Sequence, residues 1–368
     1  MRPIELSYAL KSGFENKGLI RNALMDLLQS VRNAGSISAA AKGLNLSYRH
    51  VWGELKRWES ELGQTLIIWD KGQKARLSPF GDKLLWAERQ AQARLAPQIE
   101  ALHADLERAI ALAFDDNTQV LPFHASHDDA LAMLRKFCAQ STPPLHLDIQ
   151  FTGSVDAIRA LNQGRCTMAG FHTLVQPALG TLAQKTYKPL LKPGLHKVIG
   201  FASRWQGLIV STGNPLKIKT LADAKNHRFV NRESGTGTRV VLDELMNMQG
   251  LHPNDFVGYD RTEPSHAAVA HAVASGQADV GLGLGNAAQA LGLEFVPLVQ
   301  EHYHLVCLKT TLNTPATQAL LAVLQLPYWQ SALNAMPGYC AQDSGQVQSL
   351  KQILPWWNFK QEKTVSVI

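Results

Sequence analysis

The stretch GSISAAAKGLNLSYRHVW, residues 35–52, predicts two short helices joined by a turn. Ser36 and Ser47 each precede a run of helix-forming residues, and a serine hydroxyl at this place accepts a hydrogen bond from a free N–H group of the first helical turn. Gly43 and Asn45 between the two runs favour a turn. We therefore expect one helix to begin after Ser36 and the next to begin after Ser47.

Further helices and a β-hairpin are predicted on both sides of this helix pair. Their order along the chain predicts a winged helix-turn-helix domain over residues 1–114, in which the last helix, about 79–114, is a linker and dimerisation helix. Apolar spacing, turn residues and the proline after Ser78 predict a helix over 19–31, a helix from Ser47 to Gly63, strands over 66–69 and 76–78, and a helix from Pro79 to about Phe114.

A helix-turn-helix places the start of its second helix in the major groove, so polar and cationic side chains are expected there. Trp52 and Trp58 fall on the apolar face of that helix and are predicted to pack in the core. A protein-interaction module with the same layout is the alternative. The candidate DNA-binding residues are Ser36, Ser47, Tyr48, Arg49, His50, Lys56, Arg57, Lys71, Lys74 and Arg76.

The composition narrows the class of protein. The 368 residues are 45% hydrophobic and 18% charged, which is typical of globular domains and argues against a disordered chain. No run of about 18 apolar residues occurs, and the first residues lack the apolar core of a secretion signal. The four cysteines form no CxxC pair, which favours a reducing cytoplasm over a zinc site or a disulfide framework.

The positive charge of the chain is small but unevenly distributed. A net charge of +6 spread over 40.4 kDa makes a weak field. Residues 1–114 carry 16 Lys and Arg against 12 Asp and Glu, so they hold +4 of that charge. The excess coincides with the predicted recognition helix and hairpin, which favours double-stranded DNA as the polyanionic partner.

The remainder, residues 119–368, alternates short β-type runs with helical stretches, which predicts parallel sheets with crossover helices. The overall fold class is therefore α/β, and the number of strands favours two lobes. Lobe I is expected over about 119–204 and 300–368, and lobe II over about 205–299, with crossings near 203–207 and 296–302. The predicted strands are 120–125, 145–151, 167–171, 198–202, 208–211, 228–230, 257–259, 280–284, 295–299 and 304–308.

Polar loops after several strands form a candidate ligand site, because ligands of open α/β sheets collect at the carboxyl ends of strands. The stretch FVNRESGTGTR, residues 229–239, predicts a strand, a glycine-rich turn and a helix start that favours an anion. Helix capping is the structural alternative for Ser126 and Ser154. The candidate ligand-binding residues are Ser126, His127, Thr152, Gly153, Ser154, His172, Thr173, Ser234, Gly235, Thr236, Gly237, Thr238 and Arg239.

No catalytic residue, metal site or cofactor is predicted. The chain has no GxSxG or HExxH motif, and the glycine-rich turn lacks the Lys-Ser/Thr ending of a P-loop. The pairs His302/His304 and His124/His127 have no carboxylate at metal-binding spacing. Residues 126–128, Ser-His-Asp, are the residue types of a hydrolase relay, but adjacent side chains at a strand end point in different directions.

The helix pair resembles a known DNA-binding domain. Residues 35–42 and 46–52 resemble the corresponding part of the molybdate-responsive ModE-type regulators, and LysR-type regulators share the general plan. Residues 76–82, RLSPFGD, are similar to the exit of the wing in those families. The resemblance covers about residues 17–112. It implies a homodimer, or a tetramer built from it, that contacts along the helix from Pro79 and binds a palindromic operator.

A second resemblance covers about residues 119–310. Residues 125–128, 170–172, 231–239 and 278–283 are similar to the periplasmic-binding-protein-like domain found fused to ModE-type helix-turn-helix domains and to some molybdopterin-biosynthesis proteins. Such domains close two lobes on a ligand. Ordinary ModE regulators end in small β-barrels, which this sequence does not predict, so molybdate or tungstate is implied by association alone.

The two resemblances together imply a one-component transcriptional regulator that responds to a small anion. A molybdopterin-type cofactor or a small organic anion is the alternative effector. A different class of function stays open as well: an enzyme or cofactor-handling protein of molybdenum metabolism whose N-terminal helices only dimerise.

Overall fold

The computed structural model of the chain describes residues 22–69, 74–114 and 119–357, and their contacts form two compact units that divide between Ala96 and Pro97. The predicted winged helix-turn-helix is confirmed in the first unit. The predicted domain boundary, at residues 115–118, falls outside the described residues. The elements in chain order are α1 (Ala23–Ala34), α2 (Ile37–Gly43), α3 (Tyr48–Leu62), β1 (Ile67–Ile68), β2 (Arg76–Leu77) and the long helix α4 (Pro79–Phe114).

Local signals set the ends of these helices. The hydroxyls of Ser36 and Ser47 accept hydrogen bonds from the N–H groups three residues on, at 3.3 and 3.1 Å, and so cap α2 and α3 as predicted. Gly35 and Gly63 follow α1 and α3 with φ of 60° and 66°, a left-handed conformation that glycine adopts without strain. Residues 19–21 of the predicted first helix lie outside the described part of the chain.

One apolar core holds the N-terminal unit together. It is built from one face of each helix and from the hairpin, which is why α1 and α3 carry apolar residues at helical spacing. Trp52 and Trp58 are partly buried and pack against this core, as predicted. The fully or almost fully buried side chains are Leu28, Val31, Ala40, Val51, Leu55, Leu66 and Leu85.

The second unit contains a mixed sheet with helices on it. Its elements are β3 (Gln119–Ala125), α5 (Asp129–Ala139), β4 (Leu145–Phe151), α6 (Ser154–Asn162), β5 (Met168–Leu174), α7 (Leu182–Tyr187), β6 (His196–Val210), β7 (Phe229–Arg232), α8 (Gly237–Met248), β8 (Thr262–Glu263), α9 (His266–Ala274), β9 (Val280–Leu284), α10 (Gly285–Ala290), β10 (Glu294–Leu308), α11 (Pro315–Gln325), α12 (Pro327–Asn334), β11 (Tyr339–Cys340), β12 (Val347–Ser349) and α13 (Leu350–Ile353).

The strand order is β4-β3-β5-β10-β6-β9-β7-β8, and β11 and β12 also pair with β6. Strands β6 and β10 are 15 residues each and pair antiparallel along their length. Residues 301–306 of β10 also pair with β5, whereas residues 206–210 of β6 pair with β9. One ribbon therefore belongs to both halves of the sheet, which gives the two-lobed α/β domain that the sequence predicted.

The strand prediction was wrong in three places. The predicted strands 198–202 and 208–211 are one strand, β6, and the predicted strands 295–299 and 304–308 are one strand, β10. The polar residues between each pair indicated a break, but they lie in the ribbon, where their backbone groups stay paired. Residues 257–259 form only an isolated bridge, and β8 lies at 262–263 instead. No helix among the described residues is long and apolar enough to cross a membrane.

Candidate DNA interface and interlobe site

The first turn of α3 presents polar side chains on the surface of the N-terminal unit. Tyr48, Arg49 and His50 are exposed there. Ser36 and Ser47 use an oxygen lone pair as helix caps, which leaves each hydroxyl hydrogen free to donate to a phosphate. Because a helix start also favours anions, all five predicted residues lie where contact with a duplex is chemically suitable.

The exposed cations next to this turn have no countercharge within residues 22–69, 74–114 and 119–357. Three of them form no ion pair with any residue in the described ranges, so they can neutralise phosphates without first losing a partner. Two lie on β2 or directly before it, so the hairpin and the recognition helix both contribute. These cations are Arg49, Lys74 and Arg76. Lys71 lies outside the described residues.

Two other predicted cations are engaged on their own helix. Lys56 Nζ lies 2.7 Å from a carboxylate oxygen of Glu59. Arg57 lies 2.6 Å from Glu54 and 3.4 Å from Glu61. These pairs reduce the positive charge that the middle of α3 offers to DNA, so Lys56 and Arg57 are weaker candidates than the unpaired cations.

In the second unit, Arg204 of β6 and Glu301 of β10 lie opposite each other in the ribbon. Both side chains are buried. Arg204 Nε donates to Glu301 Oε1 at 2.6 Å, and its Nη2 lies 3.3 Å from His172 Nδ1. Its Nη1 pairs with the Asp128 carboxylate, which also accepts from the Tyr339 hydroxyl at 2.8 Å. Two carboxylates thus converge on one guanidinium at the crossing of the lobes.

Burial shifts the pKa of each of these groups toward its neutral form, and nearby charges shift it toward the charged form. Burial lowers the pKa of Arg204, but Glu301 and then Tyr339 outweigh it, so the pKa is raised overall. Burial raises the pKa of Glu301, but the charge of Arg204 and its hydrogen bond outweigh burial, so the pKa is lowered overall. His172 has a pKa lowered chiefly by burial and is neutral near pH 7. The network therefore keeps the Glu301 carboxylate ionised.

A second buried arginine, Arg232 at the end of β7, has no carboxylate partner among the described residues. Its guanidinium donates to the backbone carbonyls of Glu263 and Pro264 at 3.2 and 2.9 Å. Burial and then the nearby Arg204 lower its pKa to about 10, so it is still cationic at neutral pH. A buried cation without a countercharge is costly, and an anionic ligand would remove that cost.

His266, at the start of α9, adds a neutral donor near this arginine. Gln206 Nε2 donates to Thr238 Oγ1 at 3.1 Å, and that hydroxyl lies 3.5 Å from His266 Nε2. In the tautomer that accepts from the Thr238 hydroxyl at Nε2, the ring hydrogen is on Nδ1. His266 Nδ1 is buried without a hydrogen-bond partner among the described residues. Burial and then Arg232 lower the pKa of His266 well below 6.5, so the ring is neutral.

The capping alternative for the two predicted serines is wrong. Asp128 caps α5 by accepting from the N–H of Ala130 at 2.7 Å, and Gly153 takes the cap position of α6. Ser126 Oγ is buried without a hydrogen-bond partner among the described residues. Ser154 is fully buried, and its hydroxyl lies beside that of Tyr187. The Ser126 hydroxyl therefore keeps an unused hydrogen-bonding capacity, whereas the Ser154 hydroxyl faces Tyr187 in the interior.

The glycine-rich turn after β7 touches lobe I directly. A Cβ on Gly153 would lie 2.6 Å from the carbonyl oxygen of Gly235, and a Cβ on Gly237 would lie 2.0 Å from the His172 ring. Gly235 has φ of 82°, and the Thr236 hydroxyl caps α8. The lack of side chains at these glycines lets the loops of the two lobes meet.

Other predicted ligand residues have different surroundings. Arg239 Nε pairs with Asp243 at 3.0 Å and its guanidinium covers the Tyr259 ring at 4.2 Å, so it is occupied rather than directed to a ligand. Thr173 Oγ1 is hydrogen-bonded to His304 Nε2 at 3.0 Å. Ser234 is exposed and Thr152 is half-buried.

His127 does not form a relay with its neighbours Ser126 and Asp128. Its Nε2 lies 3.2 Å from a carboxylate oxygen of Glu100 on α4, and its ring packs against Phe151 with centroids 4.8 Å apart. The Asp128 carboxylate is held by Arg204 and Tyr339 instead. The residue types of a hydrolase relay are thus present without its geometry.

Sequence reasoning missed the buried charges of this site. A signal was available, because each predicted crossing contains one charged residue that turned out to be central, Arg204 in 203–207 and Glu301 in 296–302. A charge in the middle of an otherwise β-type run is buried only when partners converge on it, and those partners come from distant parts of the chain. The other missed members are Asp128, Gln206, Arg232, His266, Tyr303 and Tyr339.

Comparison with known proteins identifies both units. Residues 135–325, more than half of the chain, match the family described as "PBP superfamily domain". Residues 23–82 match the family described as "Bacterial regulatory helix-turn-helix protein, lysR family". The match confirms the helix-turn-helix plan shared with LysR-type regulators, and the finer ModE-type assignment stays a resemblance.

Individual relatives cover parts of the chain. The uncharacterized protein YvgK of Bacillus subtilis (strain 168) is 34% identical over 200 residues, which are 54% of this chain and 64% of the relative, so the chain spans just under two thirds of its length. An uncharacterized protein of Clostridium pasteurianum, encoded in the 5′ region of a 2Fe-2S ferredoxin gene, is 32% identical over 109 residues, which are 29% of this chain and 96% of the relative.

Among solved structures, a cysteine mutant of OxyR from Corynebacterium glutamicum is 16% identical with a TM-score of 0.41, over 82% of this chain and 90% of that one. Because this structural similarity is weak, the family of the chain is assigned from the two family matches alone. The chain belongs to the PBP superfamily domain family and carries, ahead of that domain, a helix-turn-helix domain of the bacterial lysR family.

Proposed function

We propose that the chain is a one-component transcriptional regulator that binds an operator through its N-terminal unit and a small anion between the lobes of its second unit. The observation that supports the proposal is that both units of the chain contain positively charged side chains without acidic partners. In the part of the chain that the structure describes, the helix-turn-helix exposes cations without countercharge, and the lobes bury Arg232 without a carboxylate partner. Each site favours an anion, one a polymer and the other a small molecule.

The DNA-binding half predicts that Arg49→Ala together with Lys74→Ala removes sequence-specific duplex binding. These two cations come from α3 and from the hairpin, so both contact regions lose a phosphate or base contact. The measurement is selection from a random duplex pool, followed by anisotropy titration on the selected duplex. Lys83→Ala, an exposed cation on α4, is the matched control. Binding by the double variant that equals that of the wild type would refute the assignment.

The effector half is supported by buried polar groups of the two lobes that have a missing partner or countercharge among the described residues. Arg232 supplies the charge, and the Ser126 hydroxyl and the neutral His266 ring, in its Nδ1–H tautomer, supply uncharged donors, a set that suits a compact oxyanion. We propose molybdate or tungstate as the first candidates, on the ModE-type resemblance, ahead of a molybdopterin-type cofactor or another organic anion. Calorimetric titration with molybdate, tungstate, sulfate and a small dicarboxylate separates these candidates.

We also propose that the protein works in the cytoplasm as a homodimer joined along α4, or as a tetramer built from two such dimers. Leu95, Leu102 and Ile110 are exposed apolar side chains on α4, and their spacing of seven and eight residues places them on one helical face. An exposed apolar stripe of this kind is typical of helix pairing. Sedimentation equilibrium of the full chain tests this proposal.

The contact between Glu100 and His127 is our candidate for the link between the two functions. Glu100 is on the helix that continues into the DNA-binding unit, and His127 lies between the site residues Ser126 and Asp128. In lobe II, Asn286 of α10 donates a hydrogen bond at 2.6 Å to Asp129, which lies two residues after His127. Movement of lobe II is therefore expected to shift the loop that holds α4.

We accordingly expect Glu100→Ala to uncouple the two sites. Anion affinity measured by calorimetry should stay within about twofold of wild type, whereas the anion should no longer change duplex affinity, because the coupling free energy has lost its contact. Asp105→Ala, which removes an exposed carboxylate from the same helix, should keep the response. A full anion response in Glu100→Ala would show that coupling runs elsewhere.

A further inference from the structure

An aromatic row crosses the surface of the N-terminal unit from α3 to the end of β1. The Tyr48 ring stacks on the Trp52 ring with centroids 6.3 Å apart and an interplanar angle of 10°. Trp69 meets the Trp52 ring edge-on at 6.4 Å and 74°. Trp52 packs against the helical core and carries Lys56 Nζ 4.8 Å from its ring centroid. The two outer rings are thus held in place by a ring that the fold anchors.

The outer rings are unusually exposed for their size. Trp69 is 59% exposed and Tyr48 is 47% exposed, and Leu46, two residues before Tyr48, is 39% exposed. Apart from Leu95 on α4, these are the exposed large apolar side chains in the described part of this unit. Clustered exposure of this kind marks a surface that a partner covers.

The charges around the row select the partner. Arg49 follows Tyr48 on α3. Trp69 directly follows β1, and Lys74 and Arg76 lie before and on the paired strand β2. All three cations lack an ion pair with any described residue. The first turn of α3 has no acidic residue, and a helix start favours anions. Flat rings framed by free cations fit a duplex, in which apolar sugar edges and thymine methyl groups lie between phosphates.

We propose that Tyr48 and Trp69 form an apolar contact surface for duplex DNA, with Tyr48 in the major groove and Trp69 against the sugars on the hairpin side. The inference rests on the proposed DNA-binding function and adds a non-ionic contribution to it. A non-ionic contact contributes affinity without releasing counterions, whereas each cation that meets a phosphate steepens the salt dependence. The two kinds of contact can therefore be told apart.

The test compares affinity and salt slope on the selected duplex for Trp69→Ala, Trp69→Phe, Tyr48→Ala and Lys74→Ala in the full chain. Each ring-to-Ala change should lower affinity about tenfold with an unchanged slope of log K against log salt. Trp69→Phe should lose less, because a smaller ring remains against the sugars. Lys74→Ala should reduce the slope by about one. Thermal unfolding of every variant confirms folding, and Trp69→Phe carries the test if Trp69→Ala unfolds early.

Three results would overturn the inference. Wild-type affinity in both Trp69→Phe and Tyr48→Ala would show that the rings do not contact DNA. A loss of affinity with a shallower slope would show that the rings only position the cations. A changed oligomeric state with unchanged DNA affinity would assign the row to contact between copies of the chain. In each case the loss of binding in the Arg49 and Lys74 double variant still tests the regulator proposal separately.

Discussion

Replacing Arg204 with Met is expected to cost the two-lobed unit about 3–5 kcal/mol of unfolding free energy. The change leaves the Asp128 and Glu301 carboxylates buried without their countercharge, and it also removes the cation beside His172. A buried charge without its partner has lost its hydration and has no ionic interaction to offset that loss. The folded state is destabilised, whereas the unfolded state, in which the charge is hydrated, is not. Urea unfolding of wild type and variant, followed by circular dichroism, measures the difference.

An exposed arginine–aspartate pair in the same unit provides the control. Arg228 lies 2.5 Å from Asp279, but its side chain is 55% exposed, so Arg228→Met should cost less than about 1 kcal/mol. Equal losses in the two variants would mean that burial of the network does not govern its contribution. A loss below about 1 kcal/mol for Arg204→Met would contradict the account of the crossing directly.

Replacing Arg232 with Met is expected to weaken anion binding by about 100-fold while leaving the unfolding free energy within about 1 kcal/mol of wild type. The folded protein loses two hydrogen bonds to backbone carbonyls but is relieved of a buried charge without a carboxylate. The bound anion, in contrast, loses its ionic partner. Calorimetry with the anion that gives heat in the wild type measures the first quantity, and urea unfolding measures the second.

Arg239→Met is the matched control for this prediction, because Arg239 belongs to the glycine-rich segment but is occupied by Asp243 and Tyr259. Its loss should leave anion affinity within about threefold of wild type. The opposite result, with affinity lost in Arg239→Met and kept in Arg232→Met, would restore the expectation drawn from the sequence and refute the site described here.

The N-terminal unit was predictable from local signals. Ser36, Ser47, Gly35 and Gly63 act within a few residues of the helix ends that they define, so their effect can be read from neighbouring positions. The alternating strands of the second unit were predictable for the same reason. The strand breaks placed within β6 and β10 were not, because polar residues such as Ser203 and Gln300 look like loop residues unless the paired ribbon is known.

The candidate ligand site was only half predictable. The serines and glycines at strand ends could be inferred because chain topology brings such ends together. The buried charges could not, because Asp128, Arg204 and Glu301 are separated by up to 173 positions and become favourable in the interior only as a group. The choice between Arg232 and Arg239 depends on which guanidinium finds a carboxylate, a tertiary fact that spacing does not contain.

The central claim, that an anion held between the lobes changes DNA binding by the same chain, is tested most directly by one titration. Anisotropy of the selected duplex is measured with full-length protein, without anion and with saturating molybdate, tungstate or whichever anion binds in calorimetry. The account predicts that duplex affinity changes by about fivefold or more, and that the change disappears in Arg232→Met. Identical duplex affinity with and without the saturating anion would contradict it.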